Sequence, residues 1–240
     1  MKYIFRSLFL LILFSTIMFS QNIRFAWLSD LHVGNSTGEE DLELIVNDIN
    51  SGKKVDFVII SGDVTESGKT EDFMKTKNIL SKLNAKYYII PGNHDTKWSE
   101  SGGESFKNIF GNDRFHFLYN KIHFIGLHQG PIIRMADGNF APEDLRWLKK
   151  ELKKVSKKED VIFISHYPID SSISNWYEFI DIIKPLNVKA ILVGHGHTKL
   201  KMNFEGFPGI MGRSTLRTAK VETGYNIVNI TNDSILFSEK

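Results

Sequence analysis

No cysteine occurs in the 240 residues. That absence excludes a disulfide framework, a lipid-modified cysteine and thiolate metal ligands, so any metal site must draw on His, Asp, Glu or Asn. No apolar run reaches the roughly 20 residues that a membrane-crossing helix requires. The run from Ser7 to Phe19 spans only about 13. Preceded by Lys2 and Arg6, with no acid among the first twenty residues, it reads as a secretory signal cleaved after Ser20, although Met18 is larger than the residue usual three places before a cleavage point. The expected mature chain is therefore exported, periplasmic or secreted, with no permanent membrane span. Excess charge is missing too. Lys2 and Arg6 account for the whole net charge of +2, and removing residues 1–20 leaves 28 basic and 28 acidic side chains. Such neutrality argues against a dedicated nucleic-acid surface, which needs a basic stripe to displace counterions, but it leaves nucleotides open as substrates. A Gly-x-Ser-x-Gly elbow is also absent, which removes the usual setting of a nucleophilic serine.

What remains is an ordinary globular composition, 42% apolar and 24% charged, enough for one core in one domain spanning 21–240. Short β-rich runs alternate with amphipathic segments, the pattern of a layered α/β domain. Strands are expected near 24–28, 56–61, 86–90, 122–126, 161–165 and 189–193, and helices near 42–50, 71–83, 142–154 and 176–183. The third helix has the clearest ends: Pro142 suits its first position, Glu143 and Asp144 its positive end, and the following lysines its negative end. After Leu200 the chain turns to short strands punctuated by Gly206, Gly209, Gly212 and Gly224, with a last strand at 234–237.

The polar residues fall at informative places. Strand one runs out into Asp30 and His32, strand two into Gly62 and Asp63, and strand three into Gly92, Asn93, His94 and Asp95. The later strands run into His166 and into Gly194, His195, Gly196 and His197. Carboxyl ends of strands are where open α/β sheets place their ligand crevices. If the chain stays extended, Asp30 and His32 point to one side, as do His195 and His197. Each piece alone has a plain reading as a loop start, a turn or a hydrogen-bonded core edge. Their joint occurrence at successive strand ends points to a metal site. Carboxylate, amide and imidazole donors together suit Mn, Fe or Zn better than calcium.

These blocks, Asp30/His32, Gly62/Asp63, Gly92 to Asp95, His166 and Gly194 to His197, resemble the ordered motifs of the calcineurin-like metallophosphoesterase family. The resemblance implies a four-layer α-β-β-α sandwich, two mixed sheets flanked by helices, holding two divalent or trivalent transition-metal ions. It implies Asp30, His32 and His197 as ligands of one ion, Asn93, His166 and His195 as ligands of the other, and Asp63 bridging both. The implied activity is hydrolysis of phosphodiesters or phosphomonoesters by in-line attack of a metal-bridging hydroxide. His94 would stabilise the transition state or protonate the leaving oxygen, with Asp95 fixing its orientation. Within the family the Gly62, Asp63, Thr65, Gly68 loop looks most like the bacterial cyclic-nucleotide phosphodiesterase type. His32, and the lack of a Tyr soon after Asp63, depart from the purple acid phosphatases.

Two other readings fit the sequence less well. Gly68-Lys69-Thr70 mimics a P-loop, but Gly62 lies one residue too far back and Asp63 and Glu66 would repel phosphate. A catalytically silent scaffold that binds a partner would be expected to have lost ligands, and none is missing. Substrate choice is expected from loops 98–104, 128–137 and 171–176. Asn93, His94 and His128 are candidate substrate contacts, Arg134 and Arg213 candidate phosphoryl contacts, and Trp98 and Trp176 candidate stacking platforms. His116 and His123 read as structural.

Overall fold

The computed structural model describes residues 22–130, 138–232 and 234–240. The signal-peptide reading of residues 1–20, Arg134 and loop positions 131–137 lie outside the described residues. In chain order the elements are β1 Ile23–Leu28, α1 Gly38–Ser51, β2 Phe57–Ser61, α2 Thr70–Leu80, β3 Tyr87–Ile90, α3 Asn93–Thr96, α4 Glu104–Phe110, β4 Phe115–Tyr119, β5 Ile122–Gly126, α5 Pro142–Leu152, β6 Asp160–Ile164, α6 Trp176–Ile183, β7 Asn187–Val193, β8 Leu200–Phe204, β9 Phe207–Met211, β10 Asn226–Ile230 and β11 Ile235–Glu239. Among the described residues no helix is long and apolar enough to cross a membrane.

Two mixed sheets result. One runs β11-β10-β1-β2-β3 and the other β4-β5-β6-β7-β9-β8. The β1–β2–β3 and β5–β6–β7–β9 pairings are parallel, and antiparallel strands complete the edges. Side-chain alternation explains why the sheets stack. In β1, Phe25 and Trp27 face the second sheet, where they join Phe57, Ile59, Phe124, Ile162 and Leu192. Ala26 and Leu28 face the other way, into a core with Leu42, Ile45, Phe73 and Phe106 from α1, α2 and α4. Val161 and Phe163 of β6 turn outward to Leu148, Phe179 and Ile183 of α5 and α6. A strand apolar on both faces must be covered on both, and burying each large side chain contributes about 1.5–3 kcal/mol. Three apolar clusters thus mark the three interfaces of a helix-sheet-sheet-helix stack, as the sequence led us to expect.

Three elements were not anticipated: α3, α4 and β4. Strand β4 pairs with β5 through a two-residue turn whose central residues, Asn120 and Lys121, have φ of 44° and 68°, the geometry that suits a tight hairpin. Helix α1 starts at Gly38, earlier than expected, with Glu39, Glu40 and Asp41 at its positive end.

Candidate metal centre

All the motif residues collect where the carboxyl ends of β1, β2 and β3 meet those of β6 and β7. Asp30, His32 and His197 each offer a ligand atom within 4.8 Å of the other two, and so do Asp63, His166 and His195. Asp63 stands between the sets: its Oδ2 lies 3.2 Å from His166 Nε2 and 3.8 Å from His32 Nε2. Asn93 Oδ1 is 3.0 Å from both His166 Nε2 and His195 Nδ1. The two sheets are laced together at this point, since the His195 N–H donates to the Asp30 carboxylate.

The backbone achieves this convergence differently from the expectation. Asp30, His32, Asp63, His195 and His197 all adopt left-handed conformations, with φ between 46° and 70°. The pairs Asp30/His32 and His195/His197 therefore do not project from an extended strand; each residue is turned inward by a tight bend. Left-handed backbone costs a non-glycine residue about 1–2 kcal/mol and persists only where the surroundings enforce it. Here the bends are pinned by Asp30 N–H to Gly62 O at 3.0 Å and His32 N–H to Asp63 O at 2.9 Å. The hydroxyls of Ser214 and Thr215 add bonds to Asp30 O. Gly62, at φ 105°, has no room for a Cβ, which would lie 2.7 Å from His166 Nδ1 and 2.9 Å from Gly92 Cα.

The donors suit hard-to-borderline cations. His166 Nδ1 donates to Ser61 O at 2.9 Å, which turns Nε2 towards Asp63 and Asn93 as the atom a cation would take in exchange for its proton, the arrangement that typically orients a ligating imidazole. His32 is 4% exposed, yet neither of its ring nitrogens forms a hydrogen bond. An orphaned buried imidazole of this kind is a costly arrangement unless a cation completes it. The residues present therefore fit a pair of transition-metal ions.

Electrostatics agree. Burial works against the charge on Asp63, but His166, His94 and His32 overcome it and hold the carboxyl well below its usual range. Burial would lower His166, yet the charges of Asp63 and Asp30 lift it to about 9. Below that pH an incoming cation must displace the imidazole proton. Metal affinity is therefore expected to tighten as pH rises from 6 towards 9 and to weaken below. Calorimetric titration at pH 6 and 8, in buffers of different ionisation heat, checks this; equal affinities with no proton release would contradict it.

His94 is half-buried. Its backbone N–H donates to Asp63 Oδ1 at 2.8 Å and its Nδ1 sits 2.6 Å from Glu66 O, so Nδ1 carries the proton. A ring nitrogen also lies within 4.8 Å of ligand atoms of His32 and Asp63. The orienting role expected of Asp95 needs correcting. Its buried carboxylate accepts from the N–H groups of Val64, Thr65 and Gly92 at 2.8–2.9 Å and from the Thr65 hydroxyl at 3.0 Å. These bonds lock the Asp63 loop to the Asn93 loop. The group that orients the His94 ring is the carbonyl of Glu66. Burial, then the charge of Asp63, lifts Asp95 to about 6 against the pull of its N–H donors.

His128 also needs correcting as a substrate contact. Its Nε2 turns to Asp113 and Asp144, at 3.3 and 3.5 Å, in a network completed by Arg114 and Lys107. Arg213 is tied to Glu222 O at 2.5 Å and Ser214 O at 3.3 Å, so it is not poised over the centre. Trp98 is exposed with Lys97 over its ring, and Trp176 packs on the α5–α6 core. His116 and His123 bond to each other at 2.9 Å, and His116 also meets Glu151. Two further residues touch the site: Glu66, which the sequence marks only as repelling phosphate from a P-loop, and Gln129. The carboxylate of Glu66 lies 2.9 Å from His32 Nδ1 but outside hydrogen-bond geometry, so it leaves that nitrogen unsatisfied. Fully buried Gln129 accepts the N–H of His166 at 3.2 Å. No motif marks either.

A family model described as calcineurin-like phosphoesterase matches residues 23–199. The chain belongs to the calcineurin-like phosphoesterase family. The match takes in every candidate ligand and stops before β8, so the Ser214 and Thr215 props to the Asp30 bend lie beyond it. Among relatives of this metallophosphoesterase, a probable glycerophosphodiester phosphodiesterase of Arcobacter nitrofigilis is 31% identical over 129 residues, which span 52% of this chain and 47% of that one. A probable cyclic nucleotide phosphodiesterase of Coxiella burnetii is 24% identical over 230 residues, 89% and 88% of the two chains. A dimetal phosphatase from Danio rerio superposes with a TM-score of 0.72 at 14% identity, covering 90% and 95%. An inner-membrane-complex anchor protein of Plasmodium does so at 0.60 and 18%, covering 91% and 84%. At such identities these two structures speak for the shared fold.

Proposed function

We propose that the protein is a dinuclear-metal-dependent phosphoesterase that prefers phosphodiesters. The observation that carries the reading is the convergence of seven donor residues into two sets with Asp63 between them, and His94 at their edge. Asp30, His32, Asp63 and His197 would hold one ion, and Asp63, Asn93, His166 and His195 the other. When bound, such a pair acidifies a water molecule and withdraws charge from the phosphoryl oxygens. The protein's own residues do the rest. Gly62 and Gly92 keep the floor of the crevice low, and Asp95 fixes the spacing between the two loops that carry Asp63 and Asn93. In the net reaction a water oxygen bonds to phosphorus, the P–O bond to the alcohol breaks, and the departing oxygen takes up a proton. His94, held through Nδ1–H by Glu66 O, would deliver that proton from Nε2 as the doubly protonated imidazolium, and the proton released by the attacking water restores it through solvent. The diester preference draws support from relatives that are named phosphodiesterases.

Metal-stripped protein restored with Mn, Fe or Zn should hydrolyse bis(p-nitrophenyl) phosphate with a higher kcat/KM than p-nitrophenyl phosphate. A folded protein that holds two ions per chain and cleaves neither ester would defeat the reading.

A further inference from the structure

Six lysines fall within ten residues at the end of α5 and in the turns that follow it: Lys149, Lys150, Lys153, Lys154, Lys157 and Lys158. All six are exposed. Only Lys149 and Lys150 lie in the last turn of the helix, where a cation meets the negative end of the backbone dipole. The other four serve no helix end. Residues 21–240 balance 28 basic against 28 acidic groups, so positive charge is concentrated here on an otherwise neutral chain.

The carboxylates of the same stretch do not neutralise it, because they are engaged elsewhere. Glu151 meets His116 at 2.7 Å and Lys154 at 2.8 Å. Glu159 accepts the Ser156 N–H at 2.6 Å and lies 3.5 Å from His123, and Asp160 meets Asn187 and Lys189. Among the described residues, the ammonium groups of Lys149, Lys150, Lys153, Lys157 and Lys158 have no partner. Blocks of like charge repel one another and commonly mark a surface that meets an oppositely charged partner.

Lys149, Lys153 and Lys157 line a groove of about 610 Å³ between α5 and α6, together with half-buried Leu152, Ile182 and Leu186. Glu178 and Asp181 line it too, two negative charges against the six positive ones of the stripe. The groove lies where α5 and α6 lead back into the amino ends of β6 and β7. It is thus separated by a strand length, roughly 17 Å, from the carboxyl ends that run into His166 and His195. We propose that this face docks the protein on an anionic lipid bilayer, with the metal-centre crevice left open to water and to soluble esters. A bilayer presents its anions as a plane, so it meets Lys150, Lys154 and Lys158 outside the groove as well as the three lysines within it. A peptide lying in the groove would meet only those three and both acids. Nucleic acid would find neither an arginine nor an aromatic side chain in the lining. Neither bound metal nor catalysis enters this association.

The test uses residues 21–240, because the apolar run 7–19 would bind lipid by itself and every element of the fold lies beyond it. Vesicles of phosphatidylglycerol and phosphatidylcholine in equal parts should sediment the protein at least about tenfold more strongly than phosphatidylcholine alone, and about 0.5 M salt should release it. Lys153→Glu/Lys157→Glu should lower partitioning by about twenty-five-fold or more, since each lysine near an anionic surface is worth about fivefold. Lys69→Glu/Lys220→Glu removes the same charge from exposed positions outside the groove lining. It should change partitioning less than about twofold. Failure to bind the anionic vesicles, or equal partitioning of the Lys153/Lys157 variant and wild type, overturns the docking face. So does preference for an oligonucleotide or a polyglutamate peptide over those vesicles.

Discussion

Replacing Asp63 with asparagine is expected to lower turnover of a phosphodiester to below about one-thousandth of wild type. The estimate follows from losing several kcal/mol of transition-state charge stabilisation, each 1.36 kcal/mol being tenfold in rate. Asp63 is where the two donor sets meet: one oxygen faces His166 and His32, and the other receives the His94 N–H. Asparagine keeps the size and the tolerance for a left-handed backbone, so the fold should survive while the negative charge between the sets disappears. Elemental analysis should find fewer than two ions per chain. A variant that retains both ions and wild-type turnover would show that Asp63 does not link them.

The second large effect is expected at His94, and its signature is leaving-group dependence. His94→Ala retains the backbone N–H that Asp63 accepts and removes only the ring. Turnover of an alkyl diester should fall by about 10²–10⁴, the usual contribution of a positioned proton donor. An ester that releases p-nitrophenolate, which leaves without needing a proton, should lose far less, and both ions should stay bound. Equal losses for the two leaving groups would assign His94 to charge stabilisation instead. Loss of an ion would make it a ligand, an outcome that its ring's proximity to His32 and Asp63 makes meaningful.

Much of this was legible in the chain because the fold places its chemistry by rule. Phe25/Trp27 against Ala26/Leu28 and Ile162/Ile164 against Val161/Phe163 announce strands covered on both faces, and the residues just past such strands must face the crevice. Gly194-His195-Gly196-His197 stands out for the same reason. The failures are also physical. His128 follows β5 much as His166 follows β6, and sequence offers no way to see that Asp113 and Asp144 capture its ring. Asp95 sits next to His94 in the chain but is turned towards the Asp63 loop, while the atom that orients His94 is a main-chain carbonyl, which no side-chain pattern reports. Strand β4 lies at the edge of its sheet, where even apolar Leu118 is 57% exposed, so its residues do not report a covered face as those of β1 and β6 do.

The five left-handed donors carry a consequence for how the protein can change over time. At each, a residue with a poor fit to its own backbone is retained for the atoms at its tip, while glycine, or at the two aspartates asparagine, would sit there with less strain. Selection for thermal robustness and selection for turnover therefore pull against each other at Asp30, His32, Asp63, His195 and His197. A copy freed from the need to turn over substrate gains stability by exchanging these residues first, so descendants that keep the fold but abandon the chemistry should carry glycine or asparagine at these bends and leave the apolar layers untouched.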